Sequence, residues 1–415
     1  MCRFFELSVA KYTTFSLLIL TTSTAARAAD LLPPAPEHQA ASNWTGPSLG
    51  LNVTNLWSTG SLDVPQIGKL NGFSLNGPGA GLTLGYDYQI APAVVIGGAA
   101  DLNVSASQFS ASVPGESLVA RNYASWALRG RLGTEIAPGT LAYGTVGFSQ
   151  MFGDASLNGA VAANSGRQTF NGAVFGLGIE TQFDTNMFAR IEYLHGVYGK
   201  QSYAGGLFNI TPSTDSARFS LVFRPGDGAP ASAAAAEPAN WGGFYVGGMG
   251  GWENARGSAS VSGYSLAGIG GGGPSGAAVA GFNVQSGKAV AGVEGELSVN
   301  GARASATDVL GDEAHVSVSQ EAALRARFGA LVWTHTMLYG AIGGVYTHGD
   351  ASATFAGIPY SAGSDFGGVQ YGLGVETMLT PHIGVRVEYL ESRYAASNHI
   401  TPSLGKTQSG LIYKF

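Results

Sequence analysis

The chain has 415 residues, of which 45% are hydrophobic and 12% charged, with 63 glycines and a formal net charge of −6. So little charge beside so much apolar content excludes an intrinsically disordered chain, and the acidic balance gives no support for nucleic-acid binding. The single cysteine, Cys2, excludes disulfides within the chain, and no apolar run reaches the roughly 20 residues that a membrane-crossing helix needs.

The first predicted element is an address. Arg3 and Lys11 precede the apolar run Phe15 to Leu20, and small residues follow as far as Ala26-Arg27-Ala28. These are the basic, apolar and A-x-A regions of a secretory signal peptide, residues 1–28. Cleavage after Ala28 removes three basic residues and one acid, which takes the net charge from −6 to −8, and Cys2 leaves with them. Residues 29–42 then read as an N-terminal linker, 43–224 as a first barrel, 225–240 (PGDGAPASAAAAEPAN) as a Pro/Ala-rich periplasmic linker, and 241–415 as a second barrel.

The two domains are copies. Trp44-Thr-Gly-Pro-Ser-Leu-Gly is echoed by Trp241-Gly-Gly-Phe-Tyr-Val-Gly, at an offset of 197. Leu128-Arg-Gly-Arg-Leu-Gly matches Leu324-Arg-Ala-Arg-Phe-Gly, Phe175-Gly-Leu-Gly-Ile-Glu matches Tyr371-Gly-Leu-Gly-Val-Glu, and Arg190-Ile-Glu-Tyr-Leu matches Arg386-Val-Glu-Tyr-Leu, all at 196. Ile210-Thr-Pro-Ser and Ile400-Thr-Pro-Ser stand 190 apart. Nearly constant offsets with loop-sized slips mark a tandem duplication.

Within each copy the apolar period is two, as in a strand with one apolar face. Leu82, Leu84, Tyr86 and Tyr88 alternate with Thr83, Gly85, Asp87 and Gln89, and Phe175, Leu177 and Ile179 with Gly176, Gly178 and Glu180. Short turns are expected near 89–93, 137–139 and 184–186, and again near 285–288, 333–335 and 379–382. Long polar loops are expected near 58–77, 107–122, 151–170 and 197–216, then near 256–275, 303–319, 349–366 and 393–407. Segments of about ten residues with alternating long and short connections predict a transmembrane barrel with short periplasmic turns. Closure is required, because an open sheet edge cannot stay unpaired in lipid. The expected fold is all-β: two tandem eight-stranded antiparallel barrels, the alternative being one sixteen-stranded barrel. The linker favours two, since sixteen extended residues reach ~50 Å and neighbouring strands lie only about 4.8 Å apart.

Leu411, Tyr413 and Phe415 put apolar residues on one face up to an aromatic last residue, which resembles the C-terminal signature read by the barrel-assembly machinery. Trp44, Trp57, Tyr193, Trp252, Tyr389 and Tyr413 are expected in interfacial aromatic girdles. The ordered set Trp44 to Trp57, Gly79 to Ala106, and Arg190-Ile-Glu-Tyr-Leu with its copy at Arg386 resembles the small porin-like outer-membrane immunogenic proteins of Gram-negative bacteria. Those usually carry one barrel. The resemblance covers nearly the whole chain after the signal and implies residence in the outer membrane. The partners it implies are membrane lipid and lipopolysaccharide, the assembly machinery, and host or surface ligands met by extracellular loops.

Alternation also places charges on the inward face: Asp87, Asp101, Arg129, Arg131, Glu180, Arg190 and Glu192 in the first copy, and Glu294, Glu296, Arg325, Arg327, Glu376, Arg386 and Glu388 in the second. On the lipid face an arginine would cost roughly 2–4 kcal/mol. An eight-stranded interior is just wide enough for side chains to fill, so a plug of salt bridges is expected, the alternative being a narrow diffusion pore. No catalytic residue, cofactor or metal is expected. His315, His335, His348, His382 and His399 lack ligand spacing, although some proteins of the resembled family bind haem. His195 shows no partner set for a lipid A-modifying hydrolase. The run Gly268 to Gly276 lacks the Gly-Lys-Ser/Thr of a phosphate loop and reads as a flexible loop tip.

Overall fold

Alternating side chains and abundant glycine build strands throughout the computed structural model, which describes residues 43–415 apart from 66–67, 114, 159–162, 165, 185, 204–207, 226–238, 262–263, 309, 334, 356 and 396–399. The expected signal peptide and N-terminal linker, most of the second linker, and His399 lie outside the described residues. The first half contains β1 (Gly46–Val64), β2 (Gly68–Ala91), β3 (Val94–Val113), β4 (Glu116–Ala137), β5 (Thr140–Asn158), β6 (Ala163–Asn164), β7 (Gln168–Asp184), β8 (Met187–Tyr198), β9 (Gln201–Tyr203) and β10 (Phe208–Phe223). The second contains β11 (Gly243–Val261), β12 (Tyr264–Ser286), β13 (Ala289–Asn300), β14 (Arg303–Asp308), β15 (Glu313–Trp333), β16 (Thr336–Phe355), β17 (Ile358–Met378), β18 (Ile383–Tyr394) and β19 (Ile400–Lys414).

Each half closes on itself. β10 pairs antiparallel with β1, from Leu49↔Phe223 to Asp63↔Asn209, and β1 pairs in turn with β2. β19 likewise returns to β11, from Tyr245↔Lys414 to Ala259↔Ile400. Leaving aside the short β6, β9 and β14, each ring has eight strands. The strand that ends before Arg224 therefore pairs with the strand that begins after Trp44, as two eight-stranded barrels require. Outward residues such as Leu51 (60% exposed), Leu177 (62%) and Leu324 (69%) form the apolar surface that lipid would cover. At the short-turn end, Ala137 pairs with Thr140 across Pro138-Gly139, where Gly139 takes the positive φ (71°) such a two-residue turn requires.

Several expected loops are strand. β1 and β2 continue to Val64 and from Gly68, and β16 and β17 to Phe355 and from Ile358. The Ser, Thr, Asn and Gly of these extensions are too polar for lipid, so hydropathy ends the strand at the membrane edge while backbone pairing continues beyond it. For the same reason Gly270 to Gly276 lies within β12, paired with β11, and is no loop tip.

Candidate functional site: the lumen of each barrel

Arg129 and Arg131 lie two apart on β4 and so share its inward face, with Asp101 on neighbouring β3 and Asp87 one strand further on, in β2. Two layers of charge result. In the layer nearer the short turns, the Arg131 guanidinium grips both oxygens of Asp87, with Nε 2.6 Å from Oδ1, and reaches Glu180 at 3.0 Å. Arg190 (2.7 Å) and Arg224 (2.8 Å) also bind Glu180, and Arg224 donates to Asp87 at 2.6 Å. Gly97 makes room for this arrangement, because a Cβ there would stand 1.9 Å from Asp87 Oδ1. In the next layer Arg129 pairs with Asp101 (2.6 Å) and Glu192 (3.0 Å), while Arg218 pairs with Asp101 at 2.9 Å. The Tyr143 hydroxyl donates to Glu192 at 2.8 Å. All nine charged side chains are at most 9% exposed.

The second barrel repeats the theme with different membership. Arg325 binds Glu294 (2.6 Å), Glu296 (2.7 Å) and Glu388 (3.3 Å). Arg327 binds Glu376 at 2.8 Å, and Arg386 bridges Glu294 (2.5 Å) and Glu376 (2.8 Å). Tyr339, the copy of Tyr143, donates to Glu388 at 2.6 Å. These pairs join four carboxylates to five guanidiniums in the first barrel. In the second they join five carboxylates, Glu321 included, to three guanidiniums and one ammonium.

That ammonium is Lys406, which the sequence places in a loop. It lies instead in β19, fully buried, 2.5 Å from Glu296 and 2.8 Å from Glu321. Arg218, Arg224, Glu321 and Gln408 were also missed. Their signal was available: Arg218 alternates with Phe219, Leu221 and Phe223, and Lys406 and Gln408 with Leu411 and Tyr413. Two girdle residues also sit elsewhere. Trp44 is 2% exposed inside the barrel, packed on Phe188 with Arg224 over its ring at 5.3 Å. Trp57, also 2% exposed, packs on Tyr389. In both cases ring and N–H are inside protein rather than at a lipid boundary. Leu411, Tyr413 and Phe415 do face outward and exposed.

Above the layers of the first barrel a cavity of about 50 Å³ remains, lined by Asn103, Ser125, Ser149, Thr214, Arg129 and Arg218. That volume holds a few waters. His195 Nδ1 lies 2.6 Å from Asp215, which also accepts from Tyr193 at 2.5 Å. His315 pairs with exposed Glu313, His348 with Asp365 at 2.6 Å, and His382 with the Lys414 carbonyl. Among the described residues no cluster of three or more His, Cys, Asp or Glu is placed to hold a metal ion.

A family model described as outer membrane protein beta-barrel domain matches residues 15–224 and again 228–415. No curated protein matches the chain. Among solved structures, the attachment invasion locus protein Ail of Yersinia pestis has 13% identity and a TM-score of 0.28, over 41% of this chain and 99% of its own. Neisserial surface protein A has 18% identity and a TM-score of 0.27, over 41% and 97%. The Pseudomonas putida toluene transporter TodX has 10% identity and a TM-score of 0.27, over 89% of each.

Proposed function

The chain belongs to the outer membrane protein β-barrel family, and from that premise we propose that it is an integral outer-membrane protein with a structural, surface-exposed role, its two lumens closed by charged side chains. The observation that carries this reading is the doubled layer of buried ion pairs: in each barrel arginines on several strands reach carboxylates on strands that are not their neighbours. A pore needs water along its axis. Here the axis is crossed by guanidinium–carboxylate contacts of 2.5–3.3 Å in the second barrel, and in the first the cavity beside them holds only a few waters.

Export by the N-terminal signal, cleavage after Ala28, and insertion by the assembly machinery reading Leu411, Tyr413 and Phe415 belong to the same reading. So does contact with lipopolysaccharide around the barrels and with surface ligands at the strand extensions, while no enzymatic step is assigned. Liposome swelling tests it. Vesicles carrying the purified chain should admit arabinose no faster than empty vesicles. Entry that slows with sugar size would overturn the closed-lumen reading in favour of a narrow diffusion pore.

A further inference from the structure

Alternation assigns Thr140, Ala142, Ile179, Thr181 and Ile191 of the first barrel to the lipid-facing side, and Thr336, Leu338, Val375, Thr377 and Val387 to the same side of the second. Yet Ile179, Ile191 and Val375 are at most 4% exposed, and the four threonines are fully buried. What covers them is the other barrel. Ile179, Ile191 and Val375 form one cluster, with Ala142, Leu338 and Val387 packed against it. The threonine hydroxyls form a chain from Thr181 to Thr140 (2.9 Å), Thr336 (3.3 Å) and Thr377 (3.1 Å).

The contacts obey a symmetry. Thr140 meets Thr336, and Ile179 shares a cluster with Val375; each is its partner's copy, 196 residues on. At the far end Phe73 pairs in the sheet with Ile269, again its copy. Self-equivalent contacts at both ends and the middle define a two-fold axis running along the barrels. Pairs away from the axis come in related sets. The extension of β2 pairs with β14, and the extension of β12 pairs with β3. Asn55 donates to Glu391 at 3.3 Å, while their copies Trp252 and His195 bring their rings within 5.8 Å, tilted by 59°.

We propose that this face is an isologous membrane interface that joins the two barrels into a pseudo-homodimer without help from the linker, and that its side chains select the unlike barrel over a like one. Selection follows from where the two copies differ. Trp57 fits against Gly405, where a Cβ would stand 2.0 Å from the indole. The counterpart of Gly405 in the first barrel is Asp215, so two first barrels would drive Trp57 into a carboxylate. Two second barrels would set Trp252 against Glu391, which needs the Asn55 amide and the Tyr389 hydroxyl. Glu391 and Asp215 are both outward-facing acids, each 2% exposed; separation would hand them to lipid, where polar groups on a barrel are costly. Mismatched pairing is thus penalised as well as matched pairing favoured.

The test uses the full chain with a protease site placed within residues 226–238. After cleavage in isolated outer membranes and extraction in mild detergent, the two halves should co-migrate on a native gel as one species. In a second arm, Thr140→Cys with Thr336→Cys should give oxidised halves that stay joined on a denaturing gel. Leu177→Cys with Leu373→Cys, equally related but 62% and 54% exposed, should not. Gly405→Val should release the halves after cleavage, with heat-modifiable migration confirming that each is folded. Separation of the unmodified halves, equal cross-linking of both cysteine pairs, or chain-to-chain dimers from Thr140→Cys alone would each overturn the proposal.

Discussion

Arg190 and Arg386 are copies of each other, but removing them should have unequal effects. Arg190 pairs with Glu180, which keeps Arg131 and Arg224 when Arg190 is truncated. Arg190→Ala leaves four carboxylates facing four guanidiniums, so the loss is that of a charge-assisted hydrogen bond, about 1.5–3 kcal/mol. Arg386 is fully buried and bridges Glu294 and Glu376 in a network that already holds one more carboxylate than cation. Its removal leaves five carboxylates to three cations. Uncompensated buried charge puts the cost of Arg386→Ala at about 3–5 kcal/mol. Urea titration of the protein in lipid vesicles, followed by unheated gel electrophoresis to separate folded from unfolded barrels, measures both. Equal midpoints, or a larger loss for Arg190→Ala, would refute the claim that charge balance in the lumen sets the stability of each barrel.

Lys406→Ala should lower the unfolding free energy from the same titration by about 3–5 kcal/mol, because it takes the cation from buried Glu321 in a network already short of positive charge; Lys288→Ala, in an exposed turn, should change it little, and equal effects would contradict the burial of Lys406. His348 lies beyond the last outward apolar residue of β16 (Tyr346), and its hydrogen bond to Asp365 raises its pKa above 6.5. The link it adds between β16 and β17 is therefore complete below pH 6.5 and is lost as pH rises through the raised value. An NMR titration should give a midpoint above 6.5 that falls in Asp365→Asn; a wild-type midpoint at or below 6.5 would contradict the pairing. Cell fractionation should place the chain in outer membranes with heat-modifiable migration, and recovery as a soluble periplasmic protein would be the contrary result.

The barrels were legible because lipid imposes a period of two and a duplication prints it twice. Arg129 and Arg131 between Leu128, Gly130 and Leu132 announce an inward charged pair, and Arg325 and Arg327 repeat it. What alternation does not report is which neighbour an outward residue meets. Ile179 has lipid-facing parity but lies against Val375 of the second barrel, and nothing local distinguishes it from Leu177. Hydropathy also hides strands beyond the membrane, where Ser and Gly pair their backbones without apolar side chains. Lys406 was lost for that reason: it follows Gly405 in a polar stretch that reads as loop.

The claim that both lumens are closed is tested most directly by current through single protein molecules in a planar lipid bilayer. The unmodified chain should give no steady open level, while simultaneous replacement of Arg325, Arg327 and Arg386 by alanine should open a small, long-lived conductance in the second barrel. A stable open level in the unmodified protein, unchanged by those replacements, would contradict it.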